Sequence, residues 1–353
     1  MRPRLSIVLA CGLVAATLAS GASAKTQLFV SGPPETAASG TTVLQVKGAP
    51  QDTAWAQVTT FVPSGYTINF GQPNGTRIGS ASAQVHLLES RSTTAATGVV
   101  LVADTNDATL QQTATQCTGA PAHAAVWLVR LIVSTQTLDI HVYIDPTTGT
   151  DVRLGSAKLV FCLPQPYAKA LPAYASLGTK LDDLKTTLSA GVFTTPLFAA
   201  SNVWRTVVTP WAAGGAARDV AATVETQGLV GVPSSLSLQA RLTTTRRGLR
   251  VTNSVLLSGT LLETLRGVAG ATVSVFATDR SVGIVRTSAA GRFAKRLQLV
   301  QRQTFRVTAT VPTREVPCVG PLPPSVAPAG CVSATRTGYR LRSGSIVVTP
   351  RKR

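Results

Sequence analysis

The sequence predicts an all-β protein: two antiparallel β-sandwich domains, the second immunoglobulin-like, with at most one short helix in the first. Three observations predict it. Short runs rich in Val, Thr and Ile alternate apolar and polar positions. Turn-forming clusters such as Asn74-Gly75 and Asp145-Pro146-Thr147-Thr148-Gly149 separate them. Of 353 residues, 44% are hydrophobic and only 14% charged, where about a quarter charged is usual. That composition can bury two cores and is not that of a disordered chain.

Residues 1–24 read as an export signal. Arg2 and Arg4 precede an apolar stretch from Leu5 to Leu18, and Ala22-Ser23-Ala24 offers a small-x-small cleavage site. An uncleaved anchor is the competing reading, but the run is short and the cleavage site well placed. Val8-Leu9-Ala10-Cys11 has the outline of a lipoprotein box. The apolar run continues beyond Cys11, so no lipid anchor is expected. Beyond residue 24 no apolar run approaches the ~20 residues that span a bilayer.

The first domain is expected over 25–235. Ala56–Val62, Ser82–Leu88, Val126–Val133, Leu138–Ile144, Lys158–Leu163 and Trp204–Thr209 read as strands. Ser134–Thr137 would close a hairpin. Thr179–Leu188 places Leu181, Leu184 and Leu188 at helical spacing, which allows one short helix or a loop-flanked strand. Gly231-Val232-Pro233-Ser234-Ser235 is a loop of turn-formers and marks the boundary.

The second domain, 236–353, offers seven strands: Val251–Leu257, Ala271–Ala277, Gly283–Thr287, Arg292–Leu299, Thr304–Val311, Arg336–Leu341 and Ser345–Thr349. Within Ala271–Ala277, Ala271, Val273, Val275 and Ala277 face one side. Ser258-Gly259-Thr260, Val268-Ala269-Gly270-Ala271-Thr272-Val273, Thr287-Ser288-Ala289-Ala290-Gly291-Arg292-Phe293 and Thr304-Phe305-Arg306-Val307 then resemble bacterial immunoglobulin-like and carboxypeptidase-regulatory-like modules. The resemblance implies a sandwich with Phe293 and Phe305 in its core and Gly291 in a tight turn, in a spacer or binding module outside the cell. The first domain resembles secreted actinobacterial proteins of unassigned function through Val62-Pro63-Ser64-Gly65-Tyr66, Gly75-Thr76-Arg77-Ile78-Gly79, Cys117 with His123-Ala124-Ala125-Val126-Trp127, and Phe193-Thr194-Thr195-Pro196 before Trp204 and Trp211. This implies a secreted β-protein and supplies no activity.

Loss of the signal removes Cys11 and leaves Cys117, Cys162, Cys318 and Cys331. An even number in an exported chain suggests disulfides. Three pairings are possible. Proximity in the chain favours Cys117–Cys162 and Cys318–Cys331, the second closing a Pro-rich loop. Cys-x-x-Cys is absent and the three His are scattered, so no metal or other cofactor is expected. Asp104-Thr105-Asn106-Asp107 gathers calcium-type oxygens, but equally makes a solvated turn.

Gly-x-Ser-x-Gly, His-Glu-x-x-His and Gly-Lys are missing beyond residue 24, which removes the corresponding hydrolase, metalloprotease and phosphate-loop signatures. Bases for a dispersed catalytic triad reduce to His86, His123 and His141, of which His123 is the most site-like. Trp55, Tyr66, Trp127, Trp204 and Trp211 offer stacking surfaces for carbohydrate, with core packing the default and Trp211 expected to be partly exposed.

Charge is the feature above background. Residues 25–235 carry 12 Lys+Arg and 12 Asp+Glu, whereas 236–353 carry 19 against 3, net +16. An Arg-favouring genome would raise both halves alike. The candidate polyanion-binding residues are Arg246, Arg247, Arg250, Arg292, Lys295, Arg296, Arg302, Arg351, Lys352 and Arg353. The partner expected is an anionic cell-envelope polymer or lipid surface. Specific nucleic-acid binding is not, because no motif appears and aromatics are not interleaved with the basic residues. The function expected is an exported non-enzymatic binding or structural protein, possible cell-wall association included. The alternative is a secreted hydrolase or carbohydrate-active protein with its site in the first domain.

Overall fold

The computed structural model describes residues 26–33, 37–88, 90–166, 178–197, 202–215, 217–230, 234–263, 265–320 and 330–351. The export signal and the Gly231–Pro233 boundary loop lie outside the described residues. The first strands are β1 (Gln27–Ser31), β2 (Thr42–Lys47), β3 (Trp55–Val62), β4 (Thr67–Ile68), β5 (Arg77–Leu87) and β6 (Ser92–Ala103). Helix α1 (Ala108–Thr118) precedes β7 (Ala125–Val133), β8 (Gln136–Pro146), β9 (Ala157–Cys162), β10 (Thr179–Leu188), β11 (Phe193–Thr194), β12 (Val203–Pro210) and β13 (Val224–Leu229). Then come β14 (Ser234–Leu236), β15 (Gln239–Arg247), β16 (Arg250–Glu263), β17 (Arg266–Gly267), β18 (Thr272–Ala277) and β19 (Arg280–Arg286). The last are β20 (Arg292–Gln298), β21 (Gln303–Val311), β22 (Arg314–Val316), β23 (Cys331–Arg336), β24 (Tyr339–Arg342) and β25 (Ile346–Val348). The protein is all-β with one α-helix among the described residues.

Thirteen strands make one sheet in the order β1-β2-β10-β5-β6-β7-β8-β9-β3-β12-β13-β23-β22. Alternation puts Leu28, Val30, Val58, Trp127, Val142 and Trp204 on one inner face, in a single core. The sheet bends over that core, so β1 lies against β13 and β23. Gly228 permits this approach: a Cβ there would stand 2.9 Å from Val30 Cγ2. On the outer face, α1 covers β7–β9 through Ala114 against Val126, Tyr143 and Val160.

The helix is not where a helix was allowed. Thr179–Leu188 is a strand, and a bulge between Leu181 and Asp183 brings Leu181 and Leu184 to the same core despite their three-residue spacing. Helix α1 is instead set by its ends. Asp107 Oδ1 accepts the N–H groups of Thr109 and Leu110 at 2.8 and 3.1 Å. Gly119, at φ 83°, closes the last turn with its N–H on Thr115 O. Asp104 Oδ1 takes the Asn106 N–H at 2.9 Å, so the Asp104–Asp107 carboxylates serve a turn and a cap.

The second body stacks two sheets. One holds β14, β15, β17 and β20 around β16; the other runs β19-β18-β21-β24 with β25 also on β21. Between them pack Val255, Leu257, Val273, Val275, Val307 and Ala309, with Phe293 and Phe305 buried as the resemblance implied. Gly291, at φ 71°, sits 2.2 Å (Cβ position) from Leu261 O, which leaves no room for a side chain.

The chain path departs from a simple division at 235. After β21 it leaves the second body, and β22 and β23 join the edge of the thirteen-stranded sheet. There β23 lies parallel to β13, whereas every other pairing in that sheet is antiparallel. The expected strand Arg336–Leu341 is thus the end of β23 plus β24, which sit in different sheets.

Candidate functional site

Both expected disulfides form, Cys117–Cys162 and Cys318–Cys331. The first ties the C-terminal turn of α1 to the end of β9. The second joins the chain just beyond β22 to the start of β23, at the loop end of the arm that this strand pair forms.

The three histidines have separate surroundings. His86 Nδ1 meets Thr93 Oγ1 at 3.2 Å on the neighbouring strand, with Asp182 Oδ2 at 3.9 Å. His123 is the most connected. Its Nδ1 bonds Asp145 Oδ2 at 2.7 Å, and its Nε2 faces Thr118 Oγ1 at 3.0 Å and Ala120 O at 3.1 Å. This has the order of a Thr–His–Asp relay. However, the imidazole is 3% exposed, and Thr118 Oγ1 also bonds Ala114 O at 2.9 Å. Thr118 ends α1, where the helix dipole is negative and opposes an oxyanion. The arrangement therefore holds the loop between α1 and β7 onto β8.

His141 lines an open cleft of about 790 Å³ outside the sheet. Its walls are α1 (Thr113, Gln116), β8 (Asp139, His141), Pro164–Gln165, and the β12–β13 connection (Trp211, Arg218). The Cys117–Cys162 disulfide is part of its lining. Burial pushes the His141 pKa down, with Asp139 and Asp107 pulling the other way. Arg218 donates to Cys117 O at 2.6 Å and to Gln57 Oε1 at 3.2 Å. Trp211 Nε1 donates to Pro164 O at 3.2 Å. The other candidate aromatics do not form a platform. Trp55, Tyr66, Trp127 and Trp204 are buried, and Trp204 meets Tyr66 and Phe193 edge-on at 5.2 and 5.6 Å.

The basic residues divide into groups. Arg246 and Arg247 are exposed at the tip of the β15–β16 hairpin. Exposed Arg302 follows β20 at the same end, since Leu299 N–H bonds Asn253 O at 2.9 Å. Exposed Arg351 is there too, its carbonyl accepting from Asn253 Nδ2 at 3.1 Å. Lys352, Arg353 and the Arg250 side chain lie outside the described residues. Arg292 and Arg296 stand exposed on the outer face of β20, where Arg296, Leu256 and Arg241 share one row. Lys295 does not join them. It alternates to the inner side of β20 and runs 3.0 Å from the Cβ position of Gly283.

The opposite face carries a second array that the candidate residues omitted. Arg286, Thr272, Thr310 and Arg340 form one row across β19, β18, β21 and β24. Ile284, Ser274, Thr308 and Arg342 form the next. Two Thr/Ser strands thus make a floor between Arg-bearing edges about 14 Å apart, three strand spacings. Acids do not neutralise it. Glu263 pairs with Arg336 at 2.7 Å, exposed Asp279 pairs with Arg306 at 2.7 Å on this same face, and Glu315 accepts from the Gln27 amide at 2.9 Å, so among the described residues Arg286, Arg340 and Arg342 are left without an acid partner.

Neither a scan against protein-family models nor a search of curated proteins returns a match to this chain. Among the described residues no group of three His, Cys, Asp or Glu could hold a metal ion, and no helix is long and apolar enough to cross a membrane.

Proposed function

We propose that this is an exported, non-enzymatic binding protein whose Arg-rich second body holds it to phosphate-bearing polymers of the cell envelope. The observation that carries the reading is the array of Arg286, Arg340 and Arg342, which have no acid partner among the described residues, around a Thr/Ser floor. Guanidinium forks chelate phosphate oxygens, and hydroxyls add neutral hydrogen bonds beside them. Arg246, Arg247, Arg302 and Arg351 extend the positive field to one end. Two disulfides fit an oxidising compartment, and the Ala22-Ser23-Ala24 cleavage pattern supplies the export route. The resemblance to bacterial immunoglobulin-like modules points the same way. A hydrolase reading rests on the Thr118–His123–Asp145 contacts, which line an open cleft of about 390 Å³; the 3% exposure of the imidazole and the place of Thr118 at the negative end of α1 weigh against it.

The test is binding of the full chain to immobilised long-chain polyphosphate across a salt series. Binding is expected to weaken steeply with salt. Replacing Arg286, Arg340 and Arg342 together by Gln should reduce affinity by at least about tenfold and flatten the salt slope, since phosphate contacts release counterions. Absence of binding at low salt, or an unchanged slope in the triple variant, rejects the reading.

A further inference from the structure

The cleft beside α1 differs in chemistry from the Arg-rich body, although both lie on one chain. We propose that it binds a neutral saccharide, a small oligosaccharide docked against Trp211. Four features bear on that class.

Trp211 offers a face, not a donor. Its indole N–H is engaged by Pro164 O at 3.2 Å, and its backbone N–H by Ala54 O at 2.8 Å, so the ring is clamped at the mouth. A fixed indole face suits the apolar C–H face of a sugar ring.

The polar groups can both give and accept. Gln116 and Gln165 are exposed amides on opposite walls. Sugar hydroxyls are likewise donor and acceptor at once, and amides match both roles. His141, held neutral by its burial, adds one donor nitrogen and one acceptor nitrogen.

The charges facing the cleft are few. Asp139 is already gripped by Arg130 through two hydrogen bonds, 2.9 and 2.8 Å. Arg218 spends one nitrogen on Cys117 O and Gln57 Oε1. That leaves Arg218 as a single guanidinium with no acid partner among the described residues, against the many of the second body. The ligand class is therefore argued from Trp211 and the amides, and the salt series separates a neutral sugar from an anion.

The size fits. A cleft of about 790 Å³ lies within the usual range for small-ligand sites, about 300–1,000 Å³. The disulfide beneath it and α1 beside it are fixed elements, so the geometry exists before binding.

The experiment is calorimetry and tryptophan fluorescence on the full chain with cellotriose, chitotriose and maltotriose, at low and high salt. At least one should bind saturably, with an affinity that salt leaves unchanged. Trp211→Ala should weaken it by about tenfold or more, while Trp211→Phe keeps most of it. Gln116→Ala and Gln165→Ala, at exposed positions, should each weaken it several-fold and serve if Trp211→Ala fails to fold. No saturable signal from any of the three at about 10 mM overturns the proposal. So does binding that salt abolishes, or that survives all three alanine substitutions unweakened. Retention on polyphosphate is a separate readout, so either proposal can fail alone.

Discussion

Arg205 donates to Glu225 Oε1 at 2.6 Å, and Glu225 is 1% exposed. The same guanidinium reaches Val319 O at 2.8 Å, while Gln227 bonds Glu225 and receives the Val319 N–H at 2.7 Å. One buried network thus joins β12, β13 and the start of the stapled arm. Removing one partner strands a charge where water cannot reach it, a cost of about 3–5 kcal/mol. Glu225→Ala is therefore expected to lower unfolding stability by that amount, and Arg205→Met/Glu225→Leu to recover much of it, both read by urea titration. A smaller loss for Glu225→Ala alone would mean that water replaces the carboxylate. None of this was legible in the sequence. Val224-Glu225-Thr226-Gln227-Gly228-Leu229 shows no apolar alternation, because both of its faces are buried and Glu225, Thr226 and Gln227 among the buried positions are polar. Trp211 was more legible, since its place just after Thr209-Pro210 predicted partial exposure. Its companions Gln116, Gln165 and Arg218 come from distant segments, and no local spacing connects them.

At the scale of elements, α1 was missed for a related reason. Ala-Thr-Leu-Gln-Gln-Thr-Ala-Thr-Gln-Cys-Thr buries little, and its position is fixed by Asp107, Gly119, the disulfide and one phenol. Tyr143 on β8 is fully buried and donates its hydroxyl proton to Leu110 O at 3.0 Å. Burial raises its pKa from 10.0 to about 12, which Thr113 partly opposes. The unfolded phenol ionises near pH 10 and the folded one near 12, so its contribution to stability is complete below pH 10 and is lost as pH rises through about 12. Alkaline titration should therefore loosen α1 first. Helical circular dichroism and amide exchange in 108–118 should change between pH 10 and 12, and Tyr143→Phe should remove that step. The strands were better read because their cores alternate: β18 and β21 came directly from apolar periodicity. The spacing of Leu181, Leu184 and Leu188 allows a helix or a strand, and the strand is found, because a bulge, which leaves no signature in composition, produces the same spacing there.

Across the whole molecule, charge and chain path give different divisions. Charge changes at 235, and the two main hydrophobic cores do separate near there. Yet β22 and β23 return to the first body, where β23 covers the open edge of β13 and Ala334 packs on Val203 and Leu229. Ser333 Oγ also donates to Thr26 O at 2.7 Å, and Thr337 Oγ1 accepts the Val30 N–H at 3.1 Å, so the arm holds β1 as well. A chain ending at 235 would leave one edge of β13 unpaired and an apolar patch open to water. Exposed strand edges pair with one another. Residues 25–235 alone are expected to elute as oligomers or aggregate in size-exclusion chromatography, while the full chain does not. Supplying 312–338 as an oxidised peptide, with Cys318 and Cys331 joined, should restore a discrete species. A stable monomeric 25–235 would show that the arm is an accessory. Recovery by the oxidised peptide and not by its Cys318→Ser/Cys331→Ser form would show that the staple preorganises the strand that closes the sheet.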